Sequence, residues 1–126
     1  MNARITGKAA SDVVVFTGNG VTASIAKVIR SMGLHLPIPN TLNDNNTYVP
    51  VVFTSSYEHH SNLLSWRETI AEVITIDYHP VTGVCLYDLH TKCCQYAHRV
   101  CKIGAFSACS NVTGGQLSLL LVYYVL

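Results

Sequence analysis

The sequence predicts an α/β domain of about four mostly parallel strands with flanking helices. Short β-branched or apolar runs alternate with longer stretches of helical periodicity, and glycine-containing or polar turns separate them. The resulting order, β-α-β-α-β-α-β, packs helices against a sheet. A chain of 126 residues has room for one domain with one core.

Val13 to Thr17 is a β-branched and aromatic run followed by Gly18-Asn19-Gly20, a strand ending in a tight turn. From Val21 to Met32 the apolar positions Val21, Ile25, Val28, Ile29 and Met32 repeat at helical spacing, and Gly33 can close the helix. Leu34 to Tyr48, rich in proline and asparagine, reads as an exposed loop. Pro50 to Ser55 is a second apolar strand. Ser61 to Val73 follows as a helix with Leu63, Leu64, Ile70 and Val73 as its apolar stripe. Val73 to Asp77 alternates as a third strand, and Thr82-Gly83 marks a turn. Leu86 to Val100 is a helix, Lys102 to Ala108 a fourth strand, and Asn111 to Gly115 a glycine-containing turn.

Composition narrows the function classes. Hydrophobic residues make up 49% and charged residues 12%, below the roughly 25% charge of a typical soluble domain. This balance suits an interior-rich domain or a piece of a larger one. A net charge of +1, with eight scattered basic residues, gives no case for nucleic acid or an anionic membrane. Leu117 to Leu126 is apolar but ten residues long, and a spanning helix needs about 20. Met1 to Ala10 lacks the apolar stretch of a secretory signal. Five cysteines, at 85, 93, 94, 101 and 109, form no disulfide framework, and reduced thiols are expected. The expected location is cytoplasmic, with a mitochondrial presequence the lesser alternative.

Ligands of open α/β sheets gather outside the carboxyl ends of the strands. Three such ends carry distinctive residues: Gly18 to Thr22, Ser55 to Asn62 and Ser107 to Gly114. If the strands are neighbours, these turns converge on one pocket. Gly20 and Thr22 sit at a helix start, where free N–H groups and the helix dipole can hold a phosphate. From this motif alone, an ordinary turn capped by Thr22 is the stronger reading. His59 and His60 are either a functional pair or a polar loop with one capping and one solvated histidine.

His90, Cys94, His98 and Cys101 could share one helical face, but one straight helix cannot wrap four ligands around a zinc ion. Cys94 and Cys101 are instead expected to be buried small hydrophobes. A small zinc module is the third reading, and no metal site is assigned. Asn45-Asn46-Thr47 and Asn111-Val112-Thr113 match the glycosylation acceptor pattern, but without a secretory signal they carry no such reading.

The blocks "DVVVFTGNGVTASIAKVI" (12–29), "PVVFTSSYEHHSNLLSWRE" (50–68) and "KIGAFSACSNVTG" (102–114) resemble, in order and spacing, the class V aminotransferase and cysteine desulfurase family. The resemblance covers about residues 10 to 114. It implies part of the large domain of a fold-type-I enzyme dependent on pyridoxal 5'-phosphate (PLP), over residues 1–114, with 115–126 an apolar tail outside the family pattern. It also implies that Gly20, Val21 and Thr22 cradle the coenzyme phosphate, that His59 stacks on the pyridine ring, and that Asn111 bonds the ring's 3-hydroxyl oxygen.

Ala26 stands where the family often has Asn, and Cys109 where it often has Ala or Gly. The family's Schiff-base lysine and ring-pairing aspartate lie beyond the last block. Lys8, Lys27, Lys92 and Lys102 all fall outside the lysine motif, so no catalytic residue is assigned. The chain is thus expected to be a truncated amino-terminal piece, inactive alone, of an enzyme that acts on an amino acid as a homodimer. The alternative is a non-enzymatic α/β fragment that binds a phosphate-bearing ligand or a parent subunit.

Overall fold

Pro50 to Ser55 is the longest uninterrupted buried run among the described residues, and its strand, β1 (Val51–Ser55), is the centre of the sheet. A computed structural model describes residues 15–36 and 47–117. Helix α1 (Gly20–Ser31) precedes β1 (Val51–Ser55), and α2 (His60–Arg67) follows it. Next come β2 (Glu72–Ile76), a small hairpin of β3 (Tyr78–His79) and β4 (Gly83–Val84), α3 (Leu86–Gln95) and β5 (Lys102–Ala105).

The main sheet has the order β2-β1-β5, all parallel, with Val52 aligned between Val73 and Ile103. Both faces of β1 are covered, which explains why it reads as a continuous apolar run. On one face Val52, Ala105 and Trp66 pack with Ile29 and Leu34 beneath α1 and α2. On the other, Val51, Phe53 and Ile76 pack with Val84, Leu89 and Leu117 beneath α3 and the hairpin. Leu117, in the apolar tail, is therefore a core residue.

Helix α1 ends as its sequence requires. Gly33 takes φ +70, and Leu34 N–H and Gly33 N–H donate to Ile29 O and Arg30 O, the paired bonds of a glycine-closed helix end. At the opposite end of the sheet from the candidate site, Arg99 is buried and donates to Val49 O at 2.9 Å and to Glu72 Oε2 at 2.6 Å. It ties the entries of β1 and β2 together.

Several expectations are corrected. The main sheet has three parallel strands among the described residues, and a fourth is not seen among them. Of the expected strand Val13 to Thr17, Val13 and Val14 lie outside the described residues, while Val15 to Thr17 form no strand and Phe16 is 96% exposed. An apolar run becomes a strand only when a neighbour accepts its backbone bonds, and no described strand does so here. Most of the expected loop, 37–46, lies outside the described residues.

Helix α2 stops at Arg67 rather than Val73. There the Thr69 hydroxyl donates to Trp66 O and accepts from Ala71 N–H, while Ile70 N–H donates to Leu34 O. Its buried face is Asn62 and Trp66, and Leu64 of the expected stripe is half exposed. Helix α3 ends at Gln95 rather than Val100, and β5 at Ala105 rather than Ala108.

Gly83 offers a direct test of the hairpin. It takes φ +79, and a Cβ there would lie 2.8 Å from the Tyr57 hydroxyl and 3.0 Å from Gln116 O. Gly83→Ala is expected to lower stability by roughly 2–4 kcal/mol, combining left-handed backbone strain with overpacking. Urea unfolding checks this: the midpoint should fall with an unchanged slope, and a change below about 0.5 kcal/mol would contradict the packing.

Candidate functional site

The turn before α1 is built from a glycine pair around an unusual asparagine. Asn19, the N-cap of the helix, takes φ 61 and Gly20 takes φ +72. Asn19 makes no side-chain capping bond, so no cap from it covers the first-turn N–H groups. Thr22 lies inside the first turn and is not the cap that the sequence suggested. The turn is tethered from behind: Thr17 Oγ1 lies 2.6 Å from Ser24 Oγ, which donates to Gly20 O at 3.3 Å.

After β1 the chain turns through Tyr57 and Glu58 into α2. His59 is the N-cap, and its Nδ1 accepts from Ser61 N–H at 3.1 Å, with the Ser61 hydroxyl 2.8 Å away. That bond places the proton of the neutral ring on Nε2 and fixes the ring plane. His60 is the first helical residue and is exposed. The pair therefore divides into one capping and one solvated histidine.

Beyond β5, the turn carrying Asn111 is closed locally. Ser110 Oγ accepts from Val112 N–H and Thr113 N–H, Gly114 N–H donates to Ser110 O, and Cys109 bridges to Gln116. Asn111 itself is exposed.

The three turns border one open concavity of about 820 Å³, with Val21, Thr22, His59 and Asn111 all on its wall. Gly20 is not on the wall but lies between Asn19 and Val21, which are. Ile25, Trp66, Ile103 and Phe106 give the cavity an apolar floor. His60 is not on this wall; it lines only a smaller adjoining cavity of about 280 Å³, which His59 and Asn111 also border. The larger volume falls within the usual range for small-molecule sites, roughly 300–1,000 Å³. No described lysine or aspartate lines it.

Glu58 is the residue that the sequence reading passed over. Its half-buried carboxylate accepts from Ser55 Oγ at 2.6 Å, Asn62 Nδ2 at 2.8 Å, Ser107 N–H at 2.9 Å and Ser107 Oγ at 2.5 Å. Burial alone would push this carboxyl up, but the donors from Ser107, Ser55 and Asn62 together hold it below the usual glutamate range. Asn62 carries the network inward: its Nδ2 also donates to Ala105 O at 3.0 Å, and its Oδ1 accepts from Trp66 Nε1 at 2.8 Å. An acidic residue between serines, just before a helix, was the available signal. Its partner Ser107 lies 49 positions away, which no local pattern reveals.

The expected Cys/His helix does not hold together. Helix α3 stops before His98 and Cys101, and Cys94 is exposed rather than buried, its thiol 3.9 Å from His90 Nε2. All five cysteines are unpaired. Among the described residues, no group of three or more His, Cys, Asp or Glu is placed to hold a metal ion, and no helix is long and apolar enough to cross a membrane.

The chain is similar to a protein named "Probable cysteine desulfurase 2" from Mycobacterium leprae (strain TN), 36% identical over 107 residues. Those residues are 84% of this chain and 24% of that protein, so the chain spans about a quarter of the length of the curated relative it matches. No family model and no solved structure matches the chain. The partial likeness and the parallel α/β architecture are together compatible with a piece of a cysteine desulfurase-like domain.

Proposed function

We propose that these residues form the phosphate-side and ring-side half of a PLP site in a class V aminotransferase or cysteine desulfurase-like enzyme of fold type I. The observation that carries this is the gathering of Val21, Thr22, His59 and Asn111 on one cavity from three separate turns. The donor set suits the coenzyme. The α1 N-terminus and the Thr22 hydroxyl offer donors to a phosphate, and nothing lies within 4 Å of where a Gly20 side chain would be, so the backbone there is open to close approach. His59 presents a flat ring held in one plane, and Asn111 an amide that can donate to a phenolate oxygen. Bound there, the coenzyme supplies an electrophilic aldehyde and an electron-withdrawing ring.

Within this reading, Val21 and Thr22 anchor, His59 orients, and the apolar floor of Ile103 and Phe106 excludes water from one side. The complete enzyme would be a cytoplasmic homodimer acting on an amino acid. No described lysine lines the cavity, so the contacts that the described residues offer the coenzyme are non-covalent. A phosphate at a helix N-terminus gains up to about 2 kcal/mol, and weak binding follows.

The test is to incubate the chain with stoichiometric PLP, reduce with borohydride and map the pyridoxyl groups by mass spectrometry. Labelling is expected to be thin and spread over Lys8, Lys27 and Lys102. It should be least at Lys92, whose ammonium donates to Thr75 O at 2.8 Å and to Asp88 Oδ2 at 2.7 Å. Inorganic phosphate should compete for the non-covalent fraction. Near-complete labelling of one lysine, abolished by Thr22→Ala, would overturn the claim that these residues lack a covalent anchor.

A further inference from the structure

We infer that Glu58 is a positioning residue for the coenzyme ring, acting as an anionic joint that sets the turn carrying His59 against the strand exit that leads to Asn111. The inference rests on the reading of the cavity as a PLP site. Glu58 immediately precedes His59, and its carboxylate receives Ser107 N–H and Ser107 Oγ from the far side of the cavity mouth. Ser55 Oγ at the end of β1 and Asn62 Nδ2 on α2 complete the set. With the longer contact from Ser55 N–H at 3.4 Å, five donor groups therefore meet one carboxylate from β1, α2 and the exit of β5.

The chemistry of this cluster is specific. Every partner approaches as a donor, and only an ionised carboxylate accepts at both oxygens without itself donating. Glutamine has the same shape but would put an NH₂ group among donors. Ser55 Oγ and Ser107 Oγ could rotate to accept, but Ser55 N–H, Ser107 N–H and Asn62 Nδ2 cannot. The joint thus needs the charge and not the volume alone. Glu58 lines the smaller adjoining cavity but not the main one, so it acts on a ring in the main cavity through what it holds. The phosphate turn, Gly18 to Thr22, shares none of its hydrogen bonds.

This separation supplies the test. Glu58→Gln and the milder Ser107→Ala are compared with the unaltered chain by titration with PLP and, separately, with inorganic phosphate, under conditions where circular dichroism shows each variant folded. Glu58→Gln is expected to weaken PLP binding roughly tenfold, by analogy with metal sites that lose a partner orienting a ligand. Inorganic phosphate affinity should be unchanged. In a His59→Ala background the same change should cost less than twofold, because the contact it positions is gone. Ser107→Ala should move PLP binding in the same direction by a smaller factor. Equal losses for PLP and phosphate, or full additivity with His59→Ala, would make Glu58 merely structural and overturn the inference. An unaltered chain that binds phosphate but shows no preference for PLP would overturn the functional reading itself. Should Glu58→Gln not fold, Ser107→Ala alone decides: an unchanged ratio of PLP to phosphate affinity overturns the inference.

Discussion

Replacing His59 with alanine is expected to weaken PLP retention roughly ten- to hundredfold, while His60→Ala changes it little. The geometry separates the two histidines: both border the smaller cavity, but His59 alone also lines the larger one shared with Thr22 and Asn111. Stacking of a flat ring on an aromatic side chain is worth about 1–3 kcal/mol in other ring systems, which gives the stated range. The alanine change also removes an N-cap, because His59 Nδ1 accepts from Ser61 N–H. Losing a cap costs about 1 kcal/mol of stability and would confuse the result if left uncontrolled. His59→Asn resolves this, since asparagine caps well but has no ring. It should melt close to the unaltered chain and still bind PLP as weakly as the alanine variant. Equilibrium titration followed by the coenzyme's absorbance reads the affinity. Equal losses at positions 59 and 60, or binding restored by His59→Asn, would remove the ring contact from His59.

The parts of the fold that were legible are those where one local signal decides the outcome. Strand β1 is apolar at Val51, Val52 and Phe53 because both its faces are covered, and Gly33 closes α1 because the left-handed turn there suits glycine. Elements set by distant contacts were not legible. Val15 to Thr17 has the composition of a strand but no described neighbour to pair with. The end of α2 is fixed by the Ile70 bond to Leu34, 36 positions earlier by their numbers. The hairpin of Tyr78–His79 and Gly83–Val84 is too short for any periodicity to appear.

The candidate site divides in the same way. Its three turns could be named from the sequence because glycine, histidine and asparagine stand out after apolar strands. That they share a cavity depends on β5 lying directly beside β1, and the strand order could not be read from spacing. Glu58 was hidden for the reason that makes it useful: its partners come from both sides of that junction.

Acid is expected to destabilise the chain through Glu58. Its folded carboxyl titrates below the ordinary value near 4.5, because Ser107, Ser55 and Asn62 donors outweigh the upward push of burial. A depressed acid contributes stability that is present above the unfolded value and lost as pH falls through the folded one. The loss should therefore begin near pH 4.5 and deepen below it. Asp88 has the same sign: the Lys92 and Asp77 N–H donors overcome burial and hold it below its ordinary 3.8. Its ion pair with Lys92 lies at the helix surface, where water screens it and its contribution is small. Tyr57, Cys93 and Tyr96 are shifted up, so whatever they contribute is lost only as pH rises into the alkaline range.

Urea unfolding across a pH series separates these groups. Glu58→Gln should lower stability by roughly 2 kcal/mol at neutral pH, since charge-assisted bonds are lost and buried donors are left opposed. It should also flatten the acid limb, because protonated glutamate resembles glutamine in offering a donor where an acceptor is needed. The two curves should then converge in acid, whereas Asp88→Asn keeps nearly the unaltered slope. Parallel curves for the unaltered chain and Glu58→Gln, offset by a constant amount from neutral pH to the acid end, would show that the carboxylate's charge contributes nothing to the joint between β1, α2 and β5.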